Sequence, residues 1–380
     1  MNAVSNLLYV LNDESERIRT TLTLHGRKQL FAEAVKYANK HFPNLEVNEG
    51  VETYGGAFEK LFYASEILLR ASLRLDDVDR DFENGDIDLI VVGRSAYNFS
   101  FVLRRIPDGC TYRRIYYWLL ELPVEYYLGR SIMSRRFYES ERFVLELSSK
   151  LIVPNAERME FLINNEILRD YQQIGVVHNF PRIADVLPQR QTVPPSFPHN
   201  SEQEYIVFSG SVENNRFPLE LFDAVERIYR ERGVKLIVAG PVSKNIAKQF
   251  FSAIREKDGI VYVGVLEREE LYEMERGGLF GLAFYLGSNA NHLYCAPQKI
   301  FEYILENLPI MSSRNKPLQS LIYHNGLGCC VNPNKPESLY KGIIEILSNH
   351  REYKKNVELW KSKNLTALKI SDEIKSAFDL

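Results

Sequence analysis

The stretch Ala296–Ile304, APQKIFEYI, carries the residues best suited to chemistry. Proline is favoured at the first position of a helix, so Pro297 predicts a helix start. Lys299 then lies in the first turn, where its charge opposes the helix dipole. That opposition reverses when an anion binds, because free N–H groups, the dipole and the ammonium group then all face it. Lys299 is therefore either a solvated surface lysine or part of an anion site.

The predicted helix has an apolar and a polar side. Its apolar residues recur with the spacing of a face that packs on a core: Ile300, Phe301, Ile304, Leu305 and Leu308. The same spacing predicts Lys299, Glu302 and Glu306 on the polar side. Paired surface charges are the ordinary explanation for such residues, so the helix alone does not establish a site.

Composition and charge argue against two classes of protein. The 380 residues carry a net charge of −3, so no overall positive field favours a nucleic-acid partner. No apolar run approaches the roughly 20 residues that span a bilayer, and the N-terminus lacks the pattern of a signal peptide. The four cysteines have no C-x-x-C spacing. We expect a cytoplasmic, reduced protein.

Strands and helices alternate in both halves of the chain. A length of 380 residues exceeds what one core usually serves, so two domains are expected. Residues 187–202, rich in proline and polar residues, predict a linker between domains 1–186 and 203–350. Helices in 351–380 are expected to pack back on the first domain. The predicted fold class is α/β, with two Rossmann-like doubly wound domains facing a cleft.

The first half supplies further local predictions. Asn6–Leu11 is apolar and predicts a strand, and residues 24–41 predict an amphipathic helix. Tyr54–Gly56 predicts a tight turn before a second helix over 57–75. No Gly-x-Gly-x-x-Gly follows the first predicted strand, which argues against a nicotinamide-dependent dehydrogenase.

Five segments of the second half occur in the order found in one enzyme family. They resemble the donor domain of nucleotide-sugar-dependent glycosyltransferases with the GT-B fold, especially the bacterial group of family 4 type that builds polysaccharides and glycolipids. The segments are Ser209–Arg216, Ile237–Pro241, Val263–Gly264 with Glu269–Leu271, Pro297-x-Lys299-x-x-Glu302-Tyr303 and Leu308-Pro309-Ile310. The first half is similar only in outline, as expected for an acceptor-binding domain.

The resemblance implies roles for particular residues. Lys299 and Arg216 would hold the donor diphosphate from exposed positions in the cleft, and Glu302 would bond the ribose. Gly210 and Ser211 would bring backbone close to the leaving phosphate. The implied donor site also includes Gly264, Tyr285, Asn291, Pro297 and Gln298.

The sequence departs from the family at two positions. Ser211 stands where many members have a second arginine, and Tyr294 replaces the first glutamate of a Glu-x7-Glu pair. The second departure leaves the sugar contacts to other side chains, for which Asn289, Asn291 and His292 are candidates.

The chemistry of sugar transfer fits these cations. As the sugar leaves, negative charge grows on the departing phosphate, and fixed cations and backbone donors stabilise it. Aspartates such as Asp77 and Asp79 superficially match the Asp-x-Asp metal motif of another glycosyltransferase fold, but they precede a predicted strand instead of following one. We expect no metal and no cofactor, with the nucleotide sugar as co-substrate.

In the first half, Glu121 is the acid of interest. It stands in an apolar run, where a buried unpaired acid is costly. It is therefore either at the cleft end of a strand, as an acceptor contact or catalytic base, or a structural acid paired with Arg113, Arg114 or backbone. Leu120 replaces a histidine that the family often carries before this acid.

Residues 104–142 interleave arginines with tyrosines. Such a surface could contact anionic lipid or a lipid-linked acceptor at the inner face of the membrane. Glutamates within the same segment dilute its charge, so a solvated helix with core aromatics is the competing interpretation.

The resulting hypothesis is a glycosyltransferase acting on a saccharide or lipid-linked acceptor. An epimerase or hydrolase of nucleotide sugars would share the fold and turn over its donor without an acceptor. A degenerate protein that only binds nucleotide is the third alternative.

Overall fold

A computed structural model describes residues 6–7, 9–11, 21–26, 46–52, 88–92, 114–122, 142–165, 173–187, 203–287 and 289–380. The chain forms two compact units. The described residues up to His178, together with Ser371–Leu380, make the first, and Asn179–Ile370 makes the second. The domain limits expected from the sequence stay a prediction, and most of the expected linker lies outside the described residues.

The first unit contains parallel strands. Strands β1 (Thr21–Gly26) and β2 (Glu46–Glu52) pair with each other. A four-stranded sheet has the order β3-β4-β5-β6. Its members, with helix α1 after β5, are β3 (Asp88–Val92), β4 (Arg114–Trp118), β5 (Lys150–Val153), α1 (Ala156–Asn164) and β6 (Gln173–Val176).

The C-terminal residues complete the first unit. Strand β4 is buried from Ile115 to Trp118, as parallel strands covered on both faces are. The ring of Phe378 lies 5.4 Å from that of Trp118, centroid to centroid. Asp379 binds Lys150 Nζ at 2.7 Å and Arg114 at 3.2 Å. Chain-terminal residues therefore supply core and ion pairs to the sheet.

Two predictions for the N-terminal region are wrong. Asn6, Leu7 and Tyr9–Leu11 are helical, not a strand. Leu7, Val10 and Leu11 are buried whereas Tyr9 is 40% exposed, which is the three-to-four-residue period of a helix. Residues 24–26 belong to β1 instead of a helix. The rest of that predicted helix, the turn at Tyr54–Gly56 and the helix over 57–75 lie outside the described residues.

The second unit alternates strands and helices throughout. In chain order these are α2 (Ile183–Val186), β7 (Tyr205–Ser209), α3 (Leu221–Arg232), β8 (Lys235–Ala239), α4 (Lys244–Glu256), β9 (Ile260–Gly264), α5 (Arg268–Arg276), β10 (Gly281–Ala283), α6 (Ala290–Leu293), α7 (Gln298–Leu305), β11 (Ile310–Ser313), α8 (Lys316–Leu318), a π-helical turn (Gln319–Tyr323), β12 (Gly328–Val331), α9 (Pro336–Ser348) and α10 (His350–Asn364). Helix α11 (Ala367–Phe378) follows, and its residues from Ser371 onward belong to the first unit.

The strands of the second unit form one parallel sheet with the order β12-β11-β10-β7-β8-β9. The chain builds outward from β7 through β8 to β9, then returns to place β10 on the other side of β7. Ligands of such sheets bind at the carboxyl ends of the strands where this reversal occurs. The β7/β10 boundary is therefore the place to look for a site.

Aromatic residues fill the core between the sheet and its helices. The rings of Phe217 and Phe208 lie 4.9 Å apart, and Phe217 and Phe250 lie 5.4 Å apart, in edge-to-face contacts. The strands expected from the sequence in this half are present, with ends shifted by a residue or two. The predicted α/β class with parallel sheets is confirmed.

Candidate functional site

Glycines form the carboxyl ends of neighbouring strands in the second unit. Gly210 follows β7 with φ of 143°, and Gly240 follows β8 with φ of 132°. Gly240 N donates to Gly264 O at 2.7 Å, and Gly210 N donates to Ala239 O at 2.9 Å. A Cβ on Gly240 would lie 2.1 Å from Gly210 O, whereas one on Gly210 would meet nothing within 4 Å. The backbone at Gly210 therefore faces open space.

Helix α7 begins beside this loop. Pro297, predicted as the first helical residue, is the residue just before it, and no side chain caps the helix among the described residues. The first N–H groups are thus left to other acceptors. Asn179 Nδ2 donates to Ala296 O at 2.7 Å, and the Phe180 and Phe301 rings lie 4.8 Å apart. These contacts hold the start of α7.

Tyr303 joins α7 to the two strands at the reversal. Its hydroxyl donates to Leu282 O of β10 at 3.0 Å and accepts from Ser209 N of β7 at 3.1 Å. Gly281 lets this ring approach, because a Cβ there would lie 2.5 Å from it. Helix α7 and the end of β7 are thereby fixed to each other.

Lys299 is paired with two carboxylates. Its Nζ lies 3.3 Å from Glu275 Oε1 and closer still to Glu302 Oε2. The Lys299 side chain is only 21% exposed, and that of Glu275 is 0% exposed. The expected surface position of Lys299 is therefore wrong, since α5 brings Glu275 against it.

Burial and charge shift the pKa values of this triad. Burial lowers the pKa of Lys299, but the carboxylates of Glu275 and Glu302 outweigh it and raise the pKa above its ordinary value. Burial would raise the pKa of Glu302, but the Lys299 charge holds it below its ordinary value. Burial raises the pKa of Glu275 to about 7, with Lys299 opposing.

Arg216 lies at the other side of the reversal. Its guanidinium carbon is 5.1 Å from the centre of the Tyr285 ring. Among the described residues, no carboxylate lies within ion-pair distance of Arg216, which is exposed. Leu286 N donates to Asn215 O at 2.9 Å, which ties the loop after β7 to the loop after β10.

The two glutamates predicted on the polar side of α7 are buried. Glu302 is 6% exposed, and its Oε1 accepts from Gln298 Nε2 at 2.5 Å. Glu306 is 7% exposed and binds Arg276 at 2.9 Å. Glu302 is buried with a partner from its own helix, Gln298, and Glu306 with a partner from α5, Arg276.

Of the remaining predicted residues, Ser211 and Gly264 lie at the strand ends, Asn291 lies in α6, and Glu121 lies in the first unit. Ser211 is half-buried beside Gly210, and Gly264 has φ of 81°. Asn291 lies in α6, where Asn289 Oδ1 accepts from His292 N at 2.9 Å. Glu121 is exposed and follows β4 in the first unit, while Arg114 binds Asp379 instead.

Sequence reasoning missed Glu275. The segment Arg268–Arg276 has an arginine at each end and four glutamates between them, so it predicts an amphipathic helix with solvated acids. Glu275 nevertheless stands three residues after Tyr272, which is also buried. That spacing on one helix face was the available signal.

Among the described residues, no group of three or more histidine, cysteine, aspartate or glutamate side chains could hold a metal ion. The aspartates of the Asp-x-Asp-like segment before β3 lie outside the described residues, so metal independence stays a prediction. None of the helices formed by the described residues combines the length and apolar character needed to cross a membrane.

Neither protein-family models nor curated proteins match this chain. Solved structures do. Anabaena HepE, in complex with UDP and glucose, superposes with a TM-score of 0.66 at 12% identity over 100% of this chain and 96% of that one. A glycosyltransferase from Rickettsia africae gives 0.67 at 14% identity over 99% and 95%.

A trehalose-6-phosphate protein from E. coli, bound with UDP-2-fluoro glucose, gives a TM-score of 0.61 at 13% identity over 97% of this chain and 85% of that one. These similarities extend over both units of the chain. Identities this low show the fold alone, and the predicted GT-B fold is confirmed.

Proposed function

We propose that this protein is a glycosyltransferase that moves a sugar from a nucleoside diphosphate sugar to a saccharide or lipid-linked acceptor. The observation that carries the proposal is the position of two elements at the sheet reversal. The glycine loop after β7 lies next to helix α7, whose first turn has no side-chain cap among the described residues. Gly210 leaves open space above the end of β7, and Tyr303 fixes α7 beside it. Such an arrangement suits a phosphate group.

The charges around this point suit the transfer step. When the bond between the sugar and the phosphate breaks, negative charge develops on the departing diphosphate. Arg216, which has no carboxylate partner among the described residues, is free to bind that charge. The N–H groups at the start of α7 and the Lys299 ammonium group would stabilise the same negative charge. Removing one such group typically costs about 3 kcal/mol of transition-state stabilisation.

Glu302 is the proposed contact for the ribose. Each of its carboxylate oxygens already accepts from Gln298 or Lys299. A carboxylate oxygen has a second lone pair, so ribose hydroxyls could donate to it as well. Gln298 and Lys299 would then orient the carboxylate toward the nucleotide.

The similar structures guide the choice of donor. HepE is described in complex with UDP and glucose, and the E. coli protein with UDP-2-fluoro glucose. UDP-sugars are therefore the first donors to test. The acceptor side is the first unit, where exposed Glu121 is the proposed acceptor contact. Membrane contact through residues 104–142, a cytoplasmic location and the assignment to family 4 type remain predictions.

A binding panel followed by turnover tests the proposal. Thermal stability is measured with UDP, GDP, ADP and CDP, and the best base is then tested as a nucleotide sugar with and without candidate acceptors. Acceptor-dependent consumption of the donor supports a transferase. A protein that binds none of the nucleotides contradicts the proposal.

The same assay separates the alternatives. A Listeria monocytogenes protein assigned as a UDP-N-acetylglucosamine 2-epimerase superposes with a TM-score of 0.56 at 13% identity. Donor turnover without any acceptor would favour an epimerase or hydrolase of this kind. Nucleotide binding without turnover of any donor would favour a protein that only binds.

A further inference from the structure

One oxygen atom links the two phosphate-binding elements of the proposed site. Glu275 Oε1 accepts from Ser209 Oγ at 2.5 Å, and Lys299 Nζ lies 3.3 Å from the same atom. Ser209 ends β7 and directly precedes Gly210, whereas Lys299 stands in the first turn of α7. Glu275 comes from a third element, α5. A single buried carboxyl group therefore positions both sides of the site.

The other oxygen of Glu275 has no polar partner in the part of the chain that the structure describes. Glu275 Oε2 is buried and accepts no hydrogen bond from the described residues. An ionised carboxylate with an unpaired oxygen is costly in the interior of a protein, and a neutral carboxyl group costs less. The surroundings of Glu275 therefore favour a bound proton.

The charged and titratable groups that face Glu275 come from three elements. From α7 these are Lys299, Glu302 and Tyr303, and from α5 Tyr272. From β7 the neutral hydroxyl of Ser209 binds Glu275, and the hydroxyl of Tyr205 donates to the neighbouring Met274 O at 3.0 Å. Arg268, farther along α5, lowers the pKa of Glu302 by its charge. The balance at Glu275 thus rests on one ammonium group and one other carboxylate.

We propose that Glu275 is a positioning residue of the donor site, and that it takes up a proton when the diphosphate of the donor binds beside Lys299. The proposal rests on the proposed function, since it needs a diphosphate at this place. The step is a simple one: a proton from solvent joins the Glu275 carboxylate, and no other bond changes.

The charge of the triad explains the uptake. With both acids ionised, one positive and two negative charges leave the triad at −1, and a proton on Glu275 brings it to zero. A bound diphosphate adds negative charge and repels the ionised carboxylate, so it favours the protonated form. Burial already holds the pKa of Glu275 near 7, which puts the change within reach of neutral pH.

Protonation also changes what Lys299 can bind. An ionised Glu275 competes with the phosphate for the ammonium group. A neutral Glu275 leaves Lys299 to Glu302 and the phosphate, while it still accepts the hydrogen bond from Ser209. Donor affinity should therefore be higher below the pKa of Glu275 than above it.

The test is calorimetric titration of UDP-glucose into the full chain from about pH 6 to about pH 8.5, in buffers of different ionisation enthalpy. Each phosphate of UDP-glucose has one strongly acidic group that is ionised throughout this range, so the diphosphate itself does not take up a proton. The wild type is expected to take up as much as one proton, and its Kd to weaken by up to about tenfold per pH unit above about pH 7.

Variants assign the proton. Glu275→Gln should abolish both the uptake and the pH dependence, because an amide mimics the neutral acid. Glu269→Gln removes the same charge from an exposed position on α5 and should retain both. Infrared difference spectra of the wild type show whether an acid takes up the proton, since only a carboxyl group gains a protonated C=O band when UDP-glucose binds.

Each result has one meaning. Equal pH slopes for the wild type and Glu275→Gln, or binding without a new carboxyl band, would overturn the proton linkage and leave the proposed function standing. If the glutamine variant does not fold, the wild-type infrared band still tests the linkage, because its absence overturns the proposal and its presence places the proton on a carboxyl group. Failure of the wild type to bind UDP-glucose at any pH would count against the donor site and, with it, this inference.

Discussion

The guanidinium group of Arg216 lies over the ring of Tyr285, 5.1 Å from its centre, and pairs with no acid among the described residues. An aromatic face holds a cation without neutralising it. The contact joins the loop after β7 to the loop after β10, the two loops that flank the sheet reversal. Arg216 is thereby ordered and still available to an anion.

Arg216→Ala should therefore lower activity and leave stability nearly unchanged. We expect kcat/KM for the donor to fall roughly 100- to 1,000-fold, as the loss of one cation at a developing charge predicts. Arg255→Ala removes an exposed arginine of α4 in the same unit and serves as the control. Near-normal turnover of the Arg216 variant at saturating donor would rule out its role.

Glu302→Gln should raise the KM for the donor more than it lowers kcat. A ribose contact is made in the bound substrate and in the transition state alike, so its loss weakens uniform binding. The matched control is Glu306→Gln, which alters a buried acid at the other end of α7. An unchanged KM for Glu302→Gln would refute the ribose contact.

Lys299→Met should destabilise the fold, because Lys299 is not at the exposed position that the sequence predicted. Methionine leaves Glu275 and Glu302 buried without their cation, which typically costs about 3–5 kcal/mol. In a Glu275→Gln background one of these charges is already gone, so the same change should cost less. Chemical denaturation of the four proteins measures this coupling, and strictly additive losses would contradict it.

Glu275 should make the folded protein less stable as pH rises. Its pKa is raised from 4.5 to about 7 on folding. Between these values the folded state binds more protons than the unfolded state, so the free energy of unfolding falls with pH across that window. Across this window the free energy of unfolding of the wild type should fall by an amount on the order of 3 kcal/mol that Glu275→Gln does not show. Parallel stability curves for the two proteins between about pH 4.5 and about pH 7 would disprove it.

Gly240→Ala should damage both stability and donor binding. A Cβ at this position would lie 2.1 Å from Gly210 O, on backbone with φ of 132°. Gly233 also has positive φ, 72°, but a Cβ there meets nothing within 4 Å. Gly233→Ala should therefore cost about 1 kcal/mol from backbone strain alone. Gly240→Ala should cost more and weaken nucleotide binding, because the Gly210 loop must move. Equal melting temperatures for the two variants would show that the close approach is unimportant.

Local patterns were sufficient for much of the fold. Alternating apolar strands and amphipathic helices predicted the elements of the second unit, since the spacing of apolar residues indicates which strand or helix face is buried. The order of segments around Gly210, Gly240 and Pro297 indicated GT-B by its resemblance to a known enzyme family. The same reasoning erred at Asn6–Leu11, because so short an apolar run fits a strand or a helix, and packing decided for the helix.

The partners of ionisable residues were decided by tertiary structure. By itself the sequence determined that a helix begins next to Pro297 and that Lys299 stands in its first turn. Only the packing of α5 against α7 and β7 buried Glu275 beside Lys299 and turned a supposed surface lysine into one member of a charged triad. The physical reason is that spacing along a chain reports which face of an element is apolar, whereas the pKa and the partners of an acid depend on residues far away in sequence.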